Sequence, residues 1–223
     1  MLLAETEENK SFAVGHFAFG YVFAKASAQL TKTRFNIPIV LMLSVIPDVD
    51  IIFHHFIPSV EHRGPIHSVL MASIVFIPIF AIYHKNAIPY FLALIQHSLV
   101  GDYIGGGRIQ LLWPLTTQYY GIEIDIRSQT NITVEWTIFL ISILILLKTK
   151  DMAIFFQPHN SSLILMIPTL TVLLPTFLAF PLEVPATLIL PHIIYLILFL
   201  TSILIDARKI LTNSCTTLYK KHD

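Results

Sequence analysis

Seven aspartate and histidine side chains interrupt or adjoin apolar sequence in the first half of this 223-residue chain: His16, Asp48, Asp50, His62, His67, His97 and Asp102. Ionisable groups in apolar segments are costly and mark a site. Histidine and aspartate without cysteine form the ligand palette of borderline-hard divalent ions, zinc first, with manganese or iron as alternatives. The single cysteine, Cys215, stands in the polar tail, which excludes a thiolate centre and an intrachain disulfide. The candidate metal ligands are therefore His16, Asp48, Asp50, His62, His67 and His97. Asp50 and Asp102 are candidate general bases, since a carboxylate not consumed by metal can take a proton from water. Arg63 is the candidate clamp for an anionic group or a developing charge. Its alternative role is that of an arginine snorkelling to the headgroups.

The spacings set conditions on the local structure. Asp48 and Asp50 would face roughly opposite ways on a regular helix. Pro47 removes a backbone donor and disrupts the turn before it, so a break here would let both aspartates approach one centre. Asp48 as the cap of a short following helix is the simpler reading. In His62-Arg63-Gly64-Pro65-Ile66-His67, Pro65 suits a first helical position. That places His62 before a helix and His67 in its first turn. His97 and Asp102 are five apart, about 140° around an ideal helix. They can share a centre if the helix unwinds towards Gly101 and Gly105–Gly107; otherwise one of them only orients a ligand. His54, His55 and His84 read as interfacial, His159 and His222 as residues of polar connections, and His192 as a packed core histidine. Glu135 opens a later helix on the same side as the cluster.

Membrane helices must carry these residues. The chain is 55% hydrophobic and 13% charged, with mean hydropathy +0.72, about half the charge of a soluble domain. Seven apolar segments, 12–30, 36–57, 65–83, 87–104, 132–147, 161–180 and 184–205, predict an all-α, polytopic transmembrane bundle. Most approach the roughly 20 residues that cross a bilayer. The acidic start, with Glu5, Glu7 and Glu8, is unlike an export signal. With the N-terminus outside and the C-terminus in the cytoplasm, Lys25, Lys32, Arg34, Lys85, Lys148, Lys150, Arg208, Lys209, Lys220 and Lys221 fall inside. Only Lys10, Arg63, Arg108 and Arg127 fall outside, the expected positive-inside bias. All seven polar residues then lie near the outer face, at similar depth, although Lys and Arg alone set the orientation. Between helices 4 and 5, residues 105–131 predict a short interfacial hairpin or loop. Ile122, Ile124 and Ile126 alternate with Glu123, Asp125 and Arg127 as a short strand would. Trp113 and Tyr119 fit headgroup depth.

Pro47-Asp48-Val49-Asp50, His62-Arg63-Gly64-Pro65-Ile66-His67-Ser68, His97…Asp102 and Leu112-Trp113-Pro114-Leu115 together resemble the YdjM-like family of prokaryotic inner-membrane proteins. The likeness covers residues 12–118; the last three helices bring no matching motif. It implies a membrane-bound, metal-dependent hydrolase with a LexA-binding or LexA-regulated connection. It carries site roles onto Asp48, Asp50, His62, Arg63, His67 and His97, with His16 as the N-terminal helix histidine. The family spaces the fourth-helix His and Asp four apart. Gly101 stretches that to five here, which puts Asp102 in question as a direct ligand.

The sequence thus predicts one integral membrane domain over residues 1–223. Residues 12–118 would hold the metal, 132–205 would be scaffold helices, and 206–223 a polar cytoplasmic tail. The leading function is a metal-dependent hydrolase in which activated water attacks an ester or phosphoester, with membrane lipids or a lipid-linked phosphoester as partner. Zero net charge argues against nucleic acid. The rivals are a non-catalytic subunit holding a structural His/Asp site, and an ion or proton transporter. The latter would need polar residues through the cytoplasmic halves, which read as apolar.

Overall fold

The computed structural model describes residues 12–50, 63–105, 107–122, 124–178 and 184–219, with side chains up to residue 213. Among these there are seven helices and no strand. They are α1 (Ala13–Thr31), α2 (Ile37–Leu43), α3 (Val69–Tyr83), α4 (Ile88–Gln96, continued by a π-helix over His97–Ile104), α5 (Gln129–Lys148), α6 (Ser162–Leu178) and α7 (Ile189–Tyr219). The all-α bundle expected from the sequence is present.

Polar caps start several of these helices. The side chains of Asn36, Ser68 and Ser128 accept from the backbone N–H groups of Ile39, Met71 and Asn131, pairing donors that lipid would leave unsatisfied. α1 closes on Lys32 in a left-handed conformation, φ 54°.

α1 is the centre. It packs against α2, α4, α5 and α7, and buries Val14, Phe17, Ala18, Tyr21 and Ala24 on more than one face. Small residues allow this: a Cβ on Gly20 would stand 2.4 Å from Ser44 Cβ. α3 is the opposite case, apolar all round, with only Phe76 buried and Val75, Ile77 and Ile82 exposed, as a helix facing lipid requires. α3 and α4 form a hairpin folded at His84–Ala87, where His84 has φ 49°. Phe76 and Phe80 therefore meet Phe91, with ring centroids 5.2 and 5.4 Å apart. This hairpin, Gln129–Lys148 and Ala186–Asn213 supply helices long and apolar enough to cross a membrane.

Long-range contacts sort the residues between two ends of the bundle. At one end, Asn36 N–H donates to Tyr90, Asn36 Nδ2 donates to Ser161, and His159 N–H donates to Asp206. Lys25 and Tyr21 reach Asp151 at the same end. Lys25, Lys32, Arg34, Lys85, Lys148, Lys150, Arg208 and Lys209 therefore cluster there, while His16, Asp48, Asp50, His67, His97 and Asp102 gather at the other.

Three local expectations need correction. The second apolar segment breaks as Pro47 suggested, but ahead of that residue: α2 ends at Leu43, and after Ser44–Val45 a short 3₁₀ stretch, Ile46–Val49, follows; residues 51–57 lie outside the described residues. His67 is not in the first turn of the third helix. Pro65–His67 form their own 3₁₀ turn, and Ser68, extended at ψ 123°, caps α3 after it. Among the described residues of the alternating stretch 120–127 there is no strand. The hairpin is pinned by one antiparallel bridge, Ile109 to Tyr120, and beyond it Ile122 N–H turns to the Tyr103 carbonyl. The helix halves towards the basic end, expected to be apolar, hold more polarity than the sequence suggested: Ser142, Ser162, Thr169, Ser202 and Asp206 are all buried.

Gly20→Val is expected to destabilise the fold by roughly 1–3 kcal/mol through overpacking, seen as a lower midpoint of thermal unfolding in detergent; an unchanged midpoint would show that α1 and α2 are not so closely packed.

Candidate metal centre

The break after α2 creates the first half of the site. Once the helix stops, the Ser44 carbonyl needs a partner other than a helical N–H. It takes one from another helix: His97 Nδ1 lies 2.9 Å away and Gln96 Nε2 3.5 Å away. A carbonyl only accepts, so Nδ1 of His97 carries a proton; whenever the ring is neutral, Nε2 is the nitrogen with the lone pair. That Nε2 is buried and makes no hydrogen bond, although Asp48 Oδ1 and Asp102 Oδ2 lie 3.3 and 3.5 Å from it.

The second half comes from the π-helix. Its i→i+5 bonding widens the turn, so residues five apart come towards one face. His97 and Asp102, out of register on an ideal helix, both point into the cluster. Helix widening thus does what the sequence assigned to unwinding. Gly101 lies between them for a steric reason: a Cβ there would stand 1.9 Å from His16 Cε1. The His16 ring fills that space and stacks on His97, centroids 3.9 Å apart at 20°. Gln96 holds the same turn of α1 by donating to the His16 carbonyl, 3.1 Å.

Residues 63–68 close the cluster. Arg63 adopts φ 64°, its N–H donates to Asp50 Oδ2 at 3.2 Å, and its Nη2 lies 3.6 Å from Asp102 Oδ1. Gly107 gives the guanidinium room, since a Cβ there would lie 2.3 Å from Nη1. His67 bridges two carboxylates, Nδ1 to Asp102 at 2.7 Å and Nε2 to Asp50 at 3.2 Å. The hairpin lies over this segment: Gln110 N–H donates to the Arg63 carbonyl, and Ser68 Oγ contacts the carbonyls of Leu111 and Trp113.

His16, Asp50, His67, His97 and Asp102 are at most 1% exposed, Asp48 8% and Arg63 7%. Three carboxylates face one guanidinium, leaving two negative charges if the imidazoles are neutral. Such charge is costly to bury without compensation. Two trios, His16–Asp48–His97 and His67–His97–Asp102, each present ligand atoms within 4.8 Å of one another. Ligands sharing a tetrahedral ion at about 2.0–2.1 Å stand about 3.3–3.4 Å apart. Within the trios, His97 Nε2 stands 3.3 Å from Asp48 and 3.5 Å from Asp102, which match that edge, while His67 Nδ1 at 2.7 Å from Asp102 is a hydrogen bond. The residues fit a divalent cation in donor type, spacing and charge. With Nδ1 committed to Ser44, His97 offers one ligand atom, so the two trios compete for it.

Of the sequence candidates, His16, Asp48, Asp50, Arg63, His67, His97 and Asp102 come together; His62, with His54 and His55, lies outside the described residues. Asp48 and Asp50 share the cluster but face different imidazoles. Asp102, in question from its spacing, touches His67, His97 and Arg63. His192 is buried apart from the cluster, Nδ1 donating to the Leu188 carbonyl at 2.7 Å. The sequence reading missed Gln96 and the Ser44 carbonyl. A lone glutamine beside His97 in an apolar span was the available signal; a backbone acceptor leaves none. Glu135 reaches α1 one residue short of His16: its carboxylate lies where a Gly15 Cβ would sit, 2.5 Å from Oε1.

Residues 12–183 match the YdjM inner membrane protein family, and the chain belongs to it. No curated protein and no solved structure matches the chain.

Gly101→Ala must displace the His16 ring. It is expected to preserve helical content by circular dichroism while weakening zinc binding, followed by competition with a chromogenic chelator, by about tenfold or more; unchanged affinity would remove His16 from the centre.

Proposed function

From that family membership and the two buried trios that share His97, His16–Asp48–His97 and His67–His97–Asp102, we propose that the protein is a membrane-embedded, metal-dependent hydrolase acting on esters or phosphoesters. The carrying observation is His97 Nε2, aimed into the cluster by the Nδ1–Ser44 bond and flanked by oxygens of Asp48 and Asp102 at 3.3 and 3.5 Å. His16, Asp48, Asp50, His67 and His97 are the proposed ligands for one or two ions, with His62 added from the family pattern. Zinc suits the donors best; manganese and iron are alternatives. A bound divalent ion supplies Lewis acidity and lowers the pKa of water towards neutrality.

The chain's own residues supply the rest. Asp50 and Asp102 accept the proton that an attacking water gives up. Asp102 also holds the His67 ring through Nδ1. Arg63, kept close by Gly107, steadies the anionic substrate or the charge that develops on its oxygen. The buried setting strengthens each of these interactions relative to water. We place the site at the outer leaflet, with the basic end of the bundle in the cytoplasm. There lipids or lipid-linked phosphoesters meet the exposed Ile66, Leu112 and Leu115 beside residues 63–68 and the hairpin.

The test is hydrolysis by purified, zinc-loaded protein in detergent, assayed on water-soluble and lipid-linked esters and phosphodiesters. Arg63→Ala should keep its metal and lose roughly 10²–10³-fold in turnover, and Asp50→Asn should lose at least roughly 10². A metal-loaded wild type inert on every class would instead mark a structural centre.

A further inference from the structure

At the end of the bundle away from the His/Asp cluster, the last turns of α1, the α1–α2 connection and the α5–α6 connection enclose a cleft of about 300 Å³. Lys25, Gln29, Thr33, Arg34, Phe35 and Asp151 line it. Two cations face one anion. Asp151 is fully engaged: it accepts from Lys25 Nζ and, at 2.7 Å, from Tyr21 Oη. Burial works to raise its carboxyl, and the hydrogen bonds from Lys25 and Tyr21 outweigh this and hold it below its ordinary value. Asp151 therefore stays anionic and neutralises Lys25, whose Nζ also lies 5.9 Å from the Phe35 ring centroid.

Arg34 is the residue without an answer inside the protein. It is exposed and forms no hydrogen bond or ion pair among the described residues. Its planar fork suits a phosphate, and the Gln29 amide adds a neutral donor beside it. One position along α1, Leu30 is 85% exposed. A bare leucine next to a cationic cleft fits an amphiphile, with its charged group in the cleft and its chains against the leucine. Basic pockets between helices on the basic side of membrane proteins take lipid phosphates in this way.

We propose that this cleft binds the phosphate of an anionic membrane lipid, with Arg34 as its principal contact and Leu30 beside the acyl chains. The site is separate from the His/Asp cluster and does not depend on its chemistry. Phosphate is the shared chemistry of a lipid headgroup and of free inorganic phosphate; Leu30 is what favours the lipid.

The full chain, purified in detergent, would be exchanged into phosphatidylcholine nanodiscs with or without phosphatidylglycerol, and retained lipid measured by native mass spectrometry after release. Wild-type protein should retain phosphatidylglycerol over phosphatidylcholine. Arg34→Gln should weaken that retention about tenfold or more, the loss of a direct charge-assisted contact to the phosphate. Lys150→Gln removes one charge from an exposed position at the same end and outside the cleft lining; it should cost no more than about fivefold, the worth of one cation near an anionic surface. Equal losses in both variants would reduce the effect to general surface attraction and overturn the site. So would an unaffected Arg34→Gln protein. Stabilisation by inorganic phosphate matching that by phosphatidylglycerol, with no lipid retained, would overturn the lipid assignment.

Discussion

The site depends on one hydrogen bond across the bundle, from His97 Nδ1 to the carbonyl of Ser44. It exists because the second apolar segment stops being a helix there. A carbonyl released inside an apolar bundle must find a donor, and α4 offers two in succession, Gln96 and His97. The pairing has a second effect. It fixes the imidazole tautomer and leaves Nε2 facing the cluster, beside Asp48. A defect in one helix thus orients a candidate ligand on another.

The same economy recurs around that bond. The widened π-turn of His97–Ile104 brings Asp102 into register with His97. Gly101, at its middle, makes way for the His16 ring, and Gly107 makes way for Arg63. Each irregularity in the backbone admits one functional side chain. The cost is a buried set of three carboxylates opposed by one arginine, held where water is scarce. Such an arrangement is unstable as an empty collection of charges and sensible as a cation site.

Much of this was legible in the sequence. Hydropathy marked the helices, and the Lys and Arg positions placed the His and Asp residues together at one end, where the contacts put them. Pro47 signalled the helix break. The rest was not legible because it depends on partners remote in sequence. Five-residue spacing looked out of phase for His97 and Asp102, since periodicity assumes an α-helix and nothing in the residues announces a π-turn. Pro65 pointed to a helix start, but the Ser68 cap won and moved that start to Val69. The alternation at 120–127 suggested a strand, yet without a continuous partner strand its described residues form none. Gln96 was overlooked because an uncharged amide in an apolar span draws no attention until its three carbonyl contacts are seen.

We propose that these residues hold a divalent ion through nitrogen and oxygen, and X-ray absorption at the zinc edge, on the chain loaded with zinc in detergent, reads that shell. A nitrogen/oxygen shell at about 2.0–2.1 Å is expected, with outer-shell imidazole scattering that falls in His97→Ala. Folded protein that stays metal-free in zinc-replete buffer would contradict it, as would a sulfur shell at about 2.3 Å.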